Sequence, residues 1–559
     1  MREALYVKLN KRPGALALAL AGAMLLSACG GGDDNGSGSG GSSADGGGEF
    51  SMYIGDPENP LIPGNTTETE GGQVVDSLWT GLVNYDNETN EATFDGVAES
   101  IESEDQQTWT VTLNDGWTFH DGTPVTAQSF VDAWNYTAYS PNAQGNSYFF
   151  SNIEGYEDLQ APEDENGEPT GEPPAAEELS GLEVIDDQTF EVTLSAPYAQ
   201  WPTTVGYTAF YPMPEAFFED PEGFGEQPIG NGPFQAEEPF VEGQGITLTK
   251  YEDYAGEDEA QADAVEYRVY TEQNTAYTDL QGGSLDIVDQ LPPDAIVSAQ
   301  DEFGDRYLET AQGDITSLGF PTYDERFADP NVRKAFSMAI DRQAISDAIF
   351  NGTRTPATSY VSPVVEGYRD DACEVCELDV DEANRLLDEA GFDRSQPVDL
   401  WFNAGGGHEE WMQAVGNQIR ENLDVEYQLR GDLQFAEYLP LQDAQGMTGP
   451  FRAGWIMDYP VMENFLGPLY STAALPPAGS NTTFYSNPEF DEALAEGNSA
   501  GSVDEAIEAY QAAEDILIED LPAAPLFYRL NQGAHSDRVS NVVIDAFGRV
   551  DTAAVTVND

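Results

Sequence analysis

Lysine is nearly missing from this chain. Of its 559 residues only 21 are Lys or Arg, against 102 Asp or Glu, and past residue 28 the lysines are Lys250 and Lys334 alone. A net charge of −81 repels nucleic-acid phosphates and anionic lipid surfaces, so neither is an expected partner. The scarcity also removes the phosphate-gripping P-loop, because neither Lys250, after Thr249, nor Lys334, after Arg333, ends the required glycine-rich motif. Such acidity suits a protein working in concentrated salt, where screening relieves self-repulsion, and equally an acidic extracellular proteome. On the first reading the melting temperature rises steeply with ionic strength.

Histidine and cysteine are as sparse, with three of each. His120, His408 and His535 lie far apart and none opens a His-Glu-x-x-His helix, which excludes a zincin; no metal or cofactor site is expected. Cys373 and Cys376, in "DACEVCELDVDEA", are most simply a small disulfide loop. A thioredoxin-like site would want a preceding strand, and a zinc site two more ligands. Long apolar runs are absent too: "ALALALAGAML", residues 15 to 25, is short for a membrane span.

That run follows Arg2, Lys8, Lys11 and Arg12 and precedes "LSAC", ending at Cys29. The order is that of an export signal, residues 1 to 28, with a lipobox whose Cys29 receives lipid. Residues 29 to 49 are then a Gly/Ser tether with almost nothing to bury, so folding starts near residue 50, outside the cytoplasmic membrane.

What is abundant is core: 40% of residues are hydrophobic and 11% aromatic, in a chain long enough for two or three lobes. "TWTVTL" (108 to 113) alternates Trp109, Val111 and Leu113, and with "NDG" and "WTF" it suggests a hairpin. Its echo "DDQTFEVTL" (186 to 194) suggests a second strand of the same sheet. Thr126 is the expected cap of a helix burying Phe130, Ala133, Trp134 and Thr137. Asp329 with Pro330, and Asp379 with a stop at Gly391, frame two more helices. Residues 161 to 178 read as a surface insertion of Pro, Gly and acids. "GNSAG" (497 to 501) matches Gly-x-Ser-x-Gly but follows a helical pattern, so it reads as a helix exit rather than a nucleophile elbow. Chance pairs of carboxylates leave glycosidase chemistry open by motif alone.

In "FRAGWIMDYP" (451 to 460) one acid, Asp458, stands among Phe451, Trp455, Ile456, Met457 and Tyr459. The residues alone favour a turn cap ahead of Tyr459-Pro460.

The ordered set "LWTGLVNYD" (78 to 86), "WTVTLNDGWTFHDGTPVTAQSF" (109 to 130), "DDQTFEVTLSAP" (186 to 197), "PIGNGPF" (228 to 234), "LQGGSLDI" (280 to 287), "NVRKAFSMAIDRQAI" (331 to 345), "ANRLLDEAGF" (383 to 392) and "RAGWIMDYP" (452 to 460) resembles the solute-binding lipoproteins of ABC importers, the oligopeptide- and dipeptide-binding family 5. The resemblance implies an α/β, two-lobe periplasmic-binding-protein fold of type II, the Venus-flytrap, with an extra domain in the first lobe. It places lobe I at 50 to 82, 206 to 313 and 526 to 559, the insert at 83 to 205, and lobe II at 314 to 525.

It further implies a monomeric receptor, not an enzyme, anchored outside the membrane through Cys29, that binds short peptides and delivers them to permease subunits with cytoplasmic ATPases. The main chain of Ala453, Gly454 and Trp455 would pair with the peptide, Asp458 would receive its α-ammonium, and Arg452 a short peptide's carboxylate. Ile456 and Met457 depart from the family pattern and leave ligand length open. Nickel chelates or oligosaccharides on the same fold, and a lipid-anchored hydrolase, are the alternatives.

Overall fold

The computed structural model describes residues 47 to 558 except 88, 163 to 169, 405 to 406 and 477 to 478. The export signal, Cys29 and nearly all of the tether therefore lie outside the described residues, as does the middle of the 161 to 178 insertion. Among the described residues no helix is long and apolar enough to cross a membrane.

One strand organises the chain. Ala523–His535 is almost wholly buried along its length and belongs to two sheets at once. Its first half pairs antiparallel with Asp314–Gly319, with Phe451–Ile456, Val398–Trp401 and Tyr427–Arg430 following in order beyond. Its second half pairs with Tyr307–Ala311 and Ile287–Val288, beyond which lie Glu49–Ile54, Ala264–Val269, Gly245–Lys250 and Phe234–Ala236. The chain passes from the second set to the first through Gln312 and Gly313, where Gln312 N–H donates to the Arg529 carbonyl at 3.1 Å. Gly313 has no side chain because a Cβ there would sit 2.3 Å from Met457 Sδ. Each set has its own core: Trp79, Trp134, Trp201 and Tyr267 centre one, and Phe336, Phe465, Tyr510 and Phe527 the other.

The echoed strands pair as expected. Thr108–Leu113 and Thr189–Thr193 run antiparallel with Trp109 opposite Val192 and Val111 opposite Phe190, and alternate residues of each are buried. The hairpin reading of "NDGWTF" does not hold. Both edges of the 108 to 113 strand are occupied, by Ala98–Glu102 and by 189 to 193, so no edge remains for residues 117 to 119. Thr118 bridges Pro124 instead, in the approach to the next helix.

The helix ends follow their caps. Thr126 and Ser129 form a capping box at the head of Ala127–Ala138. Asp329 accepts from Asn331 N–H before Pro330–Met338, and Asp379 from Glu382 N–H before Val380–Glu389, with Gly391 at φ +67° just past its end. Cys373 and Cys376 are disulfide-bonded just ahead of that helix. Ser499 lies at the end of Pro488–Asn498 and its hydroxyl donates back to the Ala495 carbonyl, as a helix exit should.

Candidate functional site

Between the two sets of strands lies a cleft of about 1170 Å³, slightly above the ~300–1,000 Å³ usual for small-ligand pockets. One wall comes from residues 66 to 70, Gly72, Tyr148, Tyr207, Phe547 and Arg549. The other is built on Asp314–Gly319 and Phe451–Ile456, with Arg354, His408, Trp411 and Phe435 around them. Arg452, Ala453, Gly454, Trp455 and Asp458 all line it, so the structure brings the five expected site residues together.

The 451 to 456 strand has one committed edge and one nearly free edge. It pairs with 314 to 319 through Ser317 opposite Ala453, Thr316 opposite Gly454 and Ile315 opposite Trp455. On the other side Phe451 alone meets Trp401, and beyond it that edge has no strand partner among the described residues. Unpaired main-chain groups on such an edge are a template for an added strand. Gly454 keeps the sheet close, since a Cβ would stand 2.9 Å from the Ile315 carbonyl oxygen.

Past this edge the chain turns at Met457, whose N–H donates to the Gly313 carbonyl at 2.7 Å, and presents Asp458. Asp458 does not cap the next helix: Met462–Tyr470 begins after Val461 with no side-chain cap. Buried Asn464, on that helix, holds it instead. Asn464 Oδ1 accepts from Asp458 N–H at 2.9 Å and Trp455 Nε1–H at 3.0 Å, and Nδ2 donates to Asp458 Oδ2 at 3.0 Å. One amide thus fixes both the acid and the indole.

Among the described residues no cation neutralises this carboxylate. Burial pushes Asp458 up to about 6, with Asn464 and the Tyr148 hydroxyl favouring the ionised form only in part. Burial and the charge of Asp458 hold the Tyr148 and Tyr207 phenols far above their ordinary range, so both stay protonated. Phe149 stacks between them, 4.3 Å from each ring. The nearby Arg549 is committed elsewhere, to Asp76 at 2.6 Å, and lies over Phe547. The result is a fixed acid facing aromatic walls.

Sequence reasoning missed Asn464, Tyr148, Tyr207, Arg354 and Arg529. Four come from distant segments and Asn464 from just past the motif, and no local pattern marks any of them.

A cleft between two lobes that share a hinge strand, with a strand edge and a charge left open inside it, defines a solute receptor of the two-lobed type II periplasmic-binding fold. Residues 95 to 476 match the model of bacterial extracellular solute-binding proteins, family 5, middle region, and the chain belongs to that family. It is 27% identical over 493 residues to the periplasmic murein peptide-binding protein MppA of Escherichia coli, covering 86% of this chain and 88% of that one. It is 26% identical over 563 residues to the oligopeptide-binding protein OppA of Bacillus subtilis, covering 97% and 98%. The fold matches Haemophilus influenzae OppA, solved in complex with RPPGFSPFR, at a TM-score of 0.70 and 23% identity over 91% of this chain and 99% of that one.

Proposed function

We propose that this protein is a receptor for short peptides, tethered outside the membrane by lipid on Cys29, that hands its ligand to an ABC permease with cytoplasmic ATPases. It performs no chemistry on the ligand. The observation that carries the reading is the alignment of an open strand edge with an uncompensated carboxylate just beyond its end. Main-chain pairing along Ala453, Gly454 and Trp455 is indifferent to side chains, which suits a receptor for many sequences. Asp458 supplies the direction: an α-ammonium offers charge and several N–H donors to a carboxylate that burial has deprived of water. Arg452, which lines the cleft on the same strand, would meet a carboxylate. Asp458, Ala453, Gly454, Trp455 and Arg452 are therefore the proposed ligand contacts. Residues 50 to 82, 206 to 313 and 526 to 559 form the first lobe in this reading, 83 to 205 its insert, and 314 to 525 the second lobe.

The test is calorimetry on four pairings: wild type or Asp458→Asn, with a free or N-acetylated peptide. Either change alone should cost roughly 2–5 kcal/mol, as for a truncated buried charge pair. The two together should cost little more than one, since each removes the same contact. Equal binding of free and acetylated peptides to wild type would remove the ammonium role from Asp458.

A further inference from the structure

The cleft also carries the opposite charge, and more of it than one peptide terminus uses. Arg354, Arg452 and Arg529 all line the cleft, as does His408. Arg354 and Arg529 are directly opposed residues of an antiparallel strand pair, which sets two guanidinium side chains side by side. Arg529 is balanced by Asp314, which accepts from its N–H and pairs with Nε. Arg354 and Arg452 form no salt bridge among the described residues, although the charge of Asp314, already paired with Arg529, also reaches Arg354. Each instead lies over a ring, Arg354 5.2 Å from Phe350 and Arg452 5.8 Å from Phe435.

In a chain with 102 acids and 21 bases, two half-buried arginines without a carboxylate are not a matter of supply. Glu410 also lines the cleft but makes no ion pair with either. Desolvating a guanidinium beside another of like charge is costly unless an anion arrives. Burial and the charge of Arg529 pull Arg354 down to about 10 against the opposing charge of Asp314, and burial lowers Arg452.

His408 fits the same purpose in another way. Burial and the three arginines hold it down at about 4, so it is neutral at ordinary pH. Trp411 Nε1–H donates to its Nδ1 at 3.2 Å, which puts the imidazole proton on Nε2. It is thus a neutral N–H donor set among cations, an arrangement that favours an acceptor bearing negative charge.

We propose that the preferred ligands are peptides with an acidic side chain at or near the C-terminus, Arg452 meeting one carboxylate and Arg354, beside Arg529 and His408, a second. The inference rests on the peptide reading and adds the substrate class to it. Planar guanidinium forks suit two carboxylates at once better than a single point charge would.

The experiment compares alanine peptides of three to five residues that end in Glu with the same peptides ending in Gln, by calorimetry on wild type, Arg354→Gln and Arg452→Gln. For at least one length, wild type should bind the Glu peptide at least about tenfold more tightly, as a charge-assisted pair in a dry site allows. Arg354→Gln should bring that ratio to within about threefold while leaving the Gln peptide's affinity nearly unchanged, which also shows the variant is folded. Arg452→Gln should weaken both peptides. Equal binding of Glu and Gln peptides at every length overturns the acidic preference and leaves the peptide reading standing. A preference that survives Arg354→Gln overturns the role of Arg354. Binding of no peptide at all overturns both readings together.

Discussion

Glu514 and Asp458 are both carboxylates removed from bulk water, and they are treated in opposite ways. Glu514, on the long Val503–Asp520 helix, has a fully buried side chain that accepts from Ser359 Oγ, from Tyr360 N–H at 3.0 Å, and from Arg369 through Nε at 3.1 Å and Nη2 at 2.7 Å. Every lone pair of consequence is spoken for, so this acid ties the 359 to 369 loop to the helix. Asp458 has neutral donors only, and it borders a cleft. A carboxylate completed by its own protein is structural. One positioned by its protein but left charged is waiting for something from outside.

The sharpest break in this contrast is removal of Glu514. Glu514→Ala strands the Tyr360 N–H and deprives Arg369 of its buried partner, although Asp515 remains to it at 2.7 Å. The expected loss of stability is about 3 kcal/mol, the lower end for a broken buried pair. Urea unfolding measures it, and a loss below ~1 kcal/mol would mean that the loop re-pairs freely.

The same experiment on Asp458 should have the opposite sign. The folded protein holds this group at about 6 against 3.8 when exposed, so its ionised form at pH 7 opposes folding of the ligand-free chain. Asp458→Asn is therefore expected to stabilise the empty protein at pH 7, by on the order of 2 kcal/mol, with the gain fading as pH falls through about 6 and the wild-type carboxyl protonates. Thermal melts of both proteins at pH 7 and pH 5 check this. Destabilisation at pH 7 would make Asp458 a structural acid like Glu514.

The smallest effect is on ligand affinity as a function of pH. A bound ammonium favours the ionised acid, so it lowers the carboxyl's pKa in the complex, and binding releases protons below about 6. Peptide affinity should fall by up to about tenfold per unit below about pH 6. Neighbouring Glu463, raised to about 7 by burial and donated to by the Tyr459 hydroxyl at 3.0 Å, is already largely neutral by then and leaves this slope to Asp458. A flat profile down to pH 4.5, measured by calorimetry, would separate Asp458 from the ammonium.

The legible parts of this protein were those whose physics is local. Helix starts at Thr126, Asp329 and Asp379 were readable because a cap joins a side chain to a main-chain N–H two or three residues on. The pairing of 108 to 113 with 189 to 193 was readable because both segments alternate with the same period and face one core. The false hairpin at "NDGWTF" shows the limit of that reasoning: a turn signal proposes a pairing, but the preceding strand and a distant one had already taken both edges.

Within the site, the 452 to 458 motif is contiguous, so a family resemblance could carry all five residues together. The sequence by itself determined the caps, the alternating strands, the acid set in an aromatic segment and the scarcity of basic charge. Only the tertiary structure decided that Asn464, rather than a turn, holds Asp458, that Tyr148 and Tyr207 face it, and that three arginines line the same cleft around His408. Apart from Asn464, six residues on from Asp458, these side chains come from distant parts of the chain and converge through sheet order and the shared hinge strand, which depends on global packing that no short window of sequence contains.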